Sequence, residues 1–302
     1  LGGMIFGFHF SHLTTFSTII WTGIGILGSI FFMLFSFVRG NQIIILTRKE
    51  LKEQKAILDK ELEEAASYVK TMLPQAIRNG PVQIDWKFIP SAELGGDAFG
   101  YQWLDDDHFA IYLLDVSGHG VGAALLSVSV LNVLRSQSLA DTDFKSPDQV
   151  LERLNMAFQG EKHNDMFFTI WYGVYRKSSR KLTYASGGHP PALLFSGSDV
   201  GNSEATLLRT PCYVIGGMPE ITYEKRECTV GENDKLYIFS DGVYEVEKSD
   251  GSMWRFKEFT EFMTQNRTDG RSALENLYRH ASYLNRLDDF EDDFTIVEVF
   301  FS

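Results

Sequence analysis

The first 38 residues contain no Asp, Glu, Lys or Arg, and within them Phe16 to Val38 forms an apolar run of 23 residues. No single aqueous core accommodates such an opening easily. As a helix rising about 1.5 Å per residue, the run reaches about 35 Å, against a hydrocarbon core of about 30 Å. A buried helix of a soluble protein is the competing reading, but core helices of this length ordinarily carry charge. The composition therefore predicts a membrane span over residues 16–38. A cleaved signal peptide fits less well, because no basic residue precedes the run. Arg39, Arg48, Lys49, Lys52 and Lys55 follow it, whereas only His9 and His12 precede it. The positive-inside bias then predicts a single span of the cytoplasmic (inner) membrane with everything after Arg39 in the cytoplasm. Residues 1–15, apolar and rich in Gly and Phe, are compatible with the end of an upstream extracytoplasmic or membrane segment. Leu1 in place of Met is what a fragment or processed product would show.

From Asn41 to Gln75 the chain turns charged and helix-favouring. Ile44, Leu51, Leu58, Ala65 and Met72 recur every seven residues, and Leu62 and Val69 fall four residues after Leu58 and Ala65. Residues 58–72 thus read as a coiled-coil seam capable of joining two copies. Arg48 and Lys55 spoil the same column earlier on, and an amphipathic helix packed on the following domain is the alternative. Pro74 ends the pattern. The expected organisation is a membrane segment 1–38, a helical linker 39–75 and a domain 76–302.

After about Gly80, short β-rich runs dominate: VQIDWKFI, HFAIYLLDV, FFTIWYGVY, KLTYAS, ALLFS, KLYIFS and FTIVEVFF. Helical patterns interrupt them at Gly122–Ser138, Pro147–Gln159 and Arg271–Arg286, the second with Ser146 as its cap and proline at its first position. Strands in succession and clustered helices predict an α+β sandwich rather than a doubly wound sheet. At 302 residues the chain fits one large domain with appendages. A net charge of -12 argues against a nucleic-acid partner, which would need a basic face. Cys212 and Cys228, the only cysteines, match neither a zinc framework nor a disulfide scaffold and fit a reducing cytosol.

Four aspartate sites stand where a strand meets a turn. Asp97 lies in LGGDAFG, Asp115 closes FAIYLL and opens DVSGHG, Asp241 follows LYIFS, and Asp292 and Asp293 precede the last strand. Each alone is an ordinary turn signal. Together, if they converge on one sandwich edge, they repel one another unless a cation neutralises them. All-oxygen ligation selects Mg²⁺ or Mn²⁺ over zinc, and shared carboxylates suit a pair of ions. Gly95, Gly96, Gly118, Gly120 and Gly242 would let backbone approach closely. Periodicity does not name a reaction.

The ordered set GGDAFGY, DVSGHGVGAA, FFTIWYGVY, YASGGHPPALL, FSDGVYE and DDFTIVEV resembles the SpoIIE/RsbU-type bacterial serine phosphatases, a branch of the metal-dependent phosphatases related to protein phosphatase 2C. The likeness runs from about Glu64 to Val299. It implies an α/β/β/α sandwich with two Mn²⁺ or Mg²⁺ ions at one edge, hydrolysing phosphoserine or phosphothreonine without a covalent phosphoenzyme. By motif, Asp115 would bridge both ions and the Val116 carbonyl would assist one. Asp97 would serve that same ion, directly or through water, and Asp241 and Asp292 would hold the other. Asp293 is then a neighbour that orients water. The resemblance also implies a phosphorylated signalling protein as substrate, such as a STAS-domain anti-sigma-factor antagonist. It further implies that packing of Glu64–Leu73 on Gly122–Ser138 governs the metal site.

His119 is a candidate general acid for the departing seryl oxygen, with a structural turn role as its alternative. His189 in GGHPP reads as a loop-fixing residue near the site. No arginine lies near Asp97, so the resemblance leaves phosphate anchoring to the metals. Asp105, Asp106 and Asp107 read as a solvated hairpin turn. A catalytically silent membrane module of the same fold is the rival reading, which the presence of every expected aspartate disfavours. Another two-metal hydrolase, such as a phosphodiesterase, is disfavoured by the lack of a His-rich cluster.

Overall fold

The computed structural model describes residues 2–91, 94–197, 205–266, 272–285 and 290–302, with side chains from Ser17 onward except that of Ser272. Helix α1, Gly2–Met72, is shared between two compact units, Leu1–Glu61 and Leu62–Ser302.

The first unit is helix alone. Over residues 17–38 its large apolar side chains, among them Trp21, Leu27 and Phe31, are exposed. This is one helix long and apolar enough to cross a membrane, and the stretch that qualifies is not buried. Exposure of this kind separates it from the core helix of a soluble protein. Ile44, Leu51 and Leu58 are exposed as well.

The second unit is a four-layer α/β/β/α sandwich. One sheet runs in the order β1 (Val82–Ile89), β12 (Phe294–Phe301), β9 (Asp234–Phe239), β6 (Ala192–Phe195), β7 (Thr206–Leu208). The other runs β2 (Ala98–Trp103), β3 (His108–Val116), β4 (Phe168–Arg176), β5 (Lys181–Gly187), β8 (Arg226–Thr229). The pairs within both sheets are antiparallel. Successive side chains of a strand point to opposite faces, and β3 shows both. Phe109, Ile111 and Leu113 enter the core between the sheets, with Ile238, Val297 and Val299 from the other side. Ala110, Tyr112 and Leu114 face α2 (Val121–Arg135) and α3 (Pro147–Ala157), meeting Val130, Leu134, Val150 and Leu154. On the outer face of the first sheet, Phe239 and Ile296 pack with Phe259 of α4 (Phe256–Gln265) and Leu277 of α5 (Ser272–Leu284). Each fully buried Phe, Leu or Ile contributes about 1.5–3 kcal/mol. Both faces of the central strands are therefore apolar because both are covered.

The three expected helices are present: α2 starts one residue earlier and stops three sooner than expected, α3 starts at Pro147 and stops two sooner, and the ends proposed at Arg271 and Arg286 fall outside the described residues. Helix α4 and the short hairpin of β10 (Val246–Glu247) and β11 (Met253–Trp254) were not anticipated. Ser146 occupies the N-cap position of α3 with Pro147 following, but its side chain does not cap. Its hydroxyl donates to the Asp148 carboxylate at 2.6 Å and accepts from Lys225 Nζ at 2.7 Å. A charged acceptor two residues away has won over the backbone. Asp105 and Asp107 form the expected turn between β2 and β3, pairing with Lys145 and Arg176 at its surface.

The last turns of α1 pack within the second unit. Leu62, Ala66 and Val69 meet Leu94 and Ala124, and Arg135 donates to the Met72 carbonyl at 2.5 Å. This part of the expected seam is a helix packed on its own following domain.

Candidate metal centre

Four strand ends meet at one edge of the sandwich. The register pairs Ala98 with Leu114 and Ile89 with Phe294, and Phe239 lies across from Ile296. The start of β2, the end of β3, the end of β9 and the start of β12 therefore share that edge. Where the apolar space between the sheets ends, the inward positions become polar: Asp97, Asp115, Ser240, Asp293 and Thr295.

Asp97 is only 3% exposed. The hydroxyl of Thr295 donates to its carboxylate, while that of the neighbouring Ser240 donates to the Asp293 carbonyl at 3.0 Å. Its pKa lies well above the ordinary carboxylate value, chiefly through burial and then through the charges of Asp115 and Asp293. Asp115, at the end of β3, is pushed to about 8 by burial and by the charges of Asp241, Asp292 and Asp293, and it shares a hydrogen bond with Asp97. Asp241 opens a single 3-10 turn, Asp241–Val243, and rises to about 6 through burial, Asp292 and Glu245. Its Oδ1 is buried without a partner among the described residues. Asp292 is solvent-accessible, and its pKa is also raised, by partial loss of water around the carboxylate and by the Asp293 charge, while His119 pulls the other way. Among the described residues, no lysine or arginine is among the groups that set these four values.

Asp293 behaves differently from its neighbour. It is 3% exposed, and its Oδ1 accepts from the Ser91 backbone N–H at 2.8 Å and the Ser91 hydroxyl at 3.1 Å. Its Oδ2 accepts from the Asp97 N–H at 3.1 Å. Asp293 straps the segment that carries Asp97 to the start of β12.

Two glycines make the close approach possible. A Cβ at Gly95 would stand 2.2 Å from Asp293 Oδ2, and one at Gly96 would stand 2.8 Å from the Val116 carbonyl oxygen. The Val116 carbonyl thus faces the Asp97 segment. His119 is exposed on the loop leading to α2. His189 is buried at 6% exposure, and its Nδ1 donates to the Pro190 carbonyl at 3.0 Å, which fixes the loop between β5 and β6.

This donor set fits hard divalent cations. Carboxylates from both sheets converge, burial and mutual repulsion raise their pKa values, and among the described residues one buried oxygen has no partner and no lysine or arginine offsets the charge, His119 alone acting on Asp292. Among the described residues no three acidic, His or Cys donors already close on one point. The charge coupling and the spacing therefore describe a rim of carboxylates, not a finished protein cage. Mg²⁺ suits such a rim, because it keeps several waters and takes one or two carboxylates.

Ser91, Ser240 and Thr295 were not singled out from the sequence. A hydroxyl residue at an inward position of an otherwise apolar strand end, as in IFSD and DDFT, was the available signal.

Comparison with known proteins places this geometry. The family described as Stage II sporulation protein E (SpoIIE) matches residues 105–301, more than half the chain. The chain is 30% identical over 188 residues to phosphoserine phosphatase RsbP of Bacillus subtilis, covering 61% of this chain and 45% of that protein. It is 28% identical over 243 residues to phosphoserine phosphatase RsbU of the same organism, covering 78% of this chain and 69% of that one. The chain thus spans less than half of one of these relatives and about two thirds of the other. Its fold is similar to that of the SiaA-PP2C domain of Pseudomonas aeruginosa, with a TM-score of 0.69 at 20% identity over 82% of this chain and 98% of that one. By the family match across the sandwich, this chain belongs to the SpoIIE family of PP2C-like domains.

Proposed function

We propose that this chain is a membrane-anchored, cation-dependent protein phosphatase that hydrolyses phosphoserine or phosphothreonine on a signalling protein. The observation that carries this reading is the convergence of Asp97, Asp115, Asp241 and Asp292 on one edge, with pKa values raised by burial and by one another. Similarity to RsbP and RsbU, both phosphoserine phosphatases, supports the reaction class.

Asp115 would be shared between two ions, Mn²⁺ or Mg²⁺, with Asp97 and the Val116 carbonyl on one side and Asp241 and Asp292 on the other. When bound, the ions supply the positive charge that acidifies a water and offsets the phosphoryl oxygens. The chain's own residues do the rest. Thr295 holds the Asp97 carboxylate, Asp293 holds its backbone, and Ser240 ties the Asp293 carbonyl to the end of β9. Asp241 keeps an oxygen free of competing donors. His119, which acts on Asp292 electrostatically, would deliver a proton to the departing seryl oxygen.

Residues 16–38 would anchor the chain, with the sandwich in the cytoplasm. The substrate would be a phosphorylated STAS-domain protein or a similar regulator. A second copy would pair through the exposed Ile44, Leu51 and Leu58 of the linker helix. Packing of Leu62, Ala66 and Val69 on Leu94 and Ala124 links that helix to both the Asp97 segment and α2. A change in this packing would alter the metal site.

The test is phosphate release from a phosphoserine peptide by the full chain, with Mn²⁺ or with chelator, alongside Asp241→Asn. Hydrolysis should require the cation and be lost in the variant. Equal release under all three conditions would end the reading.

A further inference from the structure

We propose that an apolar strip beside the carboxylate rim is the docking surface for the protein substrate and selects phosphoserines flanked by apolar side chains. The inference deepens the phosphatase reading and rests on it.

Single exposed apolar side chains are ordinary, whereas a group of them on adjoining segments beside a site marks a surface that meets something. Here Val121 and Leu125 are 49% and 63% exposed, one helical turn apart on the same face of α2. Phe167, just before β4, is 42% exposed, and Met156 and Met218 are 62% and 48% exposed.

Short contacts join the segments that carry them. A Cβ at Gly122 would lie 3.7 Å from Met166 Sδ, which brings the start of α2 to the loop before Phe167. The Gly160 N–H donates to the Gly216 carbonyl at 3.1 Å, and Asn155 Nδ2 donates to the Met218 carbonyl at 3.0 Å. The strip therefore runs from α2 across the 160–167 loop to the end of α3 and the 216–218 turn.

Its near end touches the reactive edge. Phe167 exchanges two hydrogen bonds with Ser117, through Ser117 N–H to the Phe167 carbonyl at 2.9 Å and Phe167 N–H to Ser117 Oγ at 3.2 Å. Ser117 is two residues past Asp115, so the near end of the strip lies beside the rim.

The surface is preformed. Within the loop, His163 N–H and Asp165 N–H both donate to the Gly160 carbonyl, and Asn164 and Asp165 hold φ of 55° and 57°. A preformed surface spends little ordering entropy on binding. The two methionines add adaptability to side chains of varied shape.

Charge decides the occupant. The chain carries a net charge of -12, and the rim is itself acidic. Away from the cations at the rim, the acidic chain offers an anionic phosphoprotein no long-range attraction, so adhesion there falls to short-range apolar contact. A small phosphomonoester touches only the rim. The strip serves a polypeptide.

The experiment uses the full chain in nanodiscs with Mn²⁺ and two phosphoserine peptides of equal length and charge. One carries Leu and Phe around the phosphoserine and the other carries Ser and Gly. The readout is the ratio of kcat/KM for the two peptides within each protein, so a general loss of activity cancels. The native chain should favour the apolar peptide by about tenfold, equivalent to about 1.4 kcal/mol. The Leu125→Gln, Phe167→Ser double variant should bring the ratio close to one. A native ratio near one, or a variant that keeps the native ratio, overturns the docking inference. So does a double variant that loses a dimer by light scattering with its ratio intact, because the strip would then cover a second copy. Aryl phosphate separates the two levels: failure to hydrolyse it with Mn²⁺ sinks the phosphatase reading itself, whereas hydrolysis with a flat peptide ratio sinks only the docking surface.

Discussion

Asp292 and Asp293 are the same residue side by side, yet they do opposite work. Asp293 is buried and accepts three hydrogen bonds from Ser91 and Asp97. Asp292 is exposed and, with Asp115 and Asp241, forms a group whose members chiefly repel one another. Asp293 commits its oxygens to architecture while still adding its charge to the rim, whereas Asp292 adds charge and, among the described residues, accepts only the Asp293 N–H at 2.8 Å. What separates them is the local supply of donors, not residue type.

Asp115→Asn should break the charged side with the largest effect. Turnover of a phosphopeptide should fall about 1,000-fold, the scale of losing a metal-organising group. Stability in chelator should stay level or rise, because a source of repulsion is gone. Phosphate release and thermal unfolding on the same sample check both halves, and a strongly destabilised variant would contradict the division.

Asp293→Ala should do the reverse. It leaves the Ser91 N–H, the Ser91 hydroxyl and the Asp97 N–H without their acceptor, a cost of about 3 kcal/mol for buried donors. Chemical denaturation measures this. A loss below about 0.5 kcal/mol would show that the strap bears little load.

A third prediction sharpens the comparison through pH. Asp115 and Asp241 have folded pKa values of about 8 and about 6, above their ordinary values. Between pH 4 and 8 the folded, cation-free chain therefore holds protons that the unfolded chain releases. Its stability falls as pH rises through that window, opposite to the usual salt-bridged carboxylate. Melting in chelator should drop by roughly 5 °C from pH 5 to pH 8, and saturating Mn²⁺ should flatten the slope. A chelated protein that grows more stable with rising pH would refute the repulsive cluster.

Most of the strands in the sheet that carries Asp241 and Asp292 were legible as β-rich runs bounded by turns, apolar on both faces in β12 and alternating in the edge strand β1. VQIDWKFI and FTIVEVFF coincide with β1 and β12. β2 was hidden in LGGDAFGY, where glycines that admit Asp293 and the Val116 carbonyl read as turn punctuation. Helix α4 hid behind the turn-rich SDGS segment, and strands of two to four residues such as β7, β8 and β10 have too few residues to show a period. At the site, sequence reasoning found the carboxylates through their place at strand ends. It could not tell which oxygens were already spent, since Ser91 and Asp97 lie about 200 positions from Asp293. The packing of Leu62, Ala66 and Val69 on Leu94 and Ala124 was legible only as one of two alternatives, because the same apolar spacing serves a coiled-coil seam and a helix lying on its own domain.

His189 offers the smallest and cleanest contrast, a buried titratable group on the architectural side. Its Nδ1–H is committed to the Pro190 carbonyl, so the ring is neutral and Nε2 has no partner among the described residues. Burial lowers its pKa from 6.5 to about 4. Between those values the unfolded chain binds a proton that the folded chain refuses, so stability is present above pH 6.5 and drains away as pH falls toward 4. The slope from this one group is at most about 1.4 kcal/mol per pH unit. His189→Gln keeps a side-chain donor for the carbonyl but cannot titrate. Unfolding free energies of the two proteins from pH 4.5 to 6.5 should converge toward the acid end, with the variant showing the shallower slope. Parallel slopes would mean that the ring takes up its proton in the folded state, and the loop between β5 and β6 would then have room for a charge that its packing is here argued to exclude.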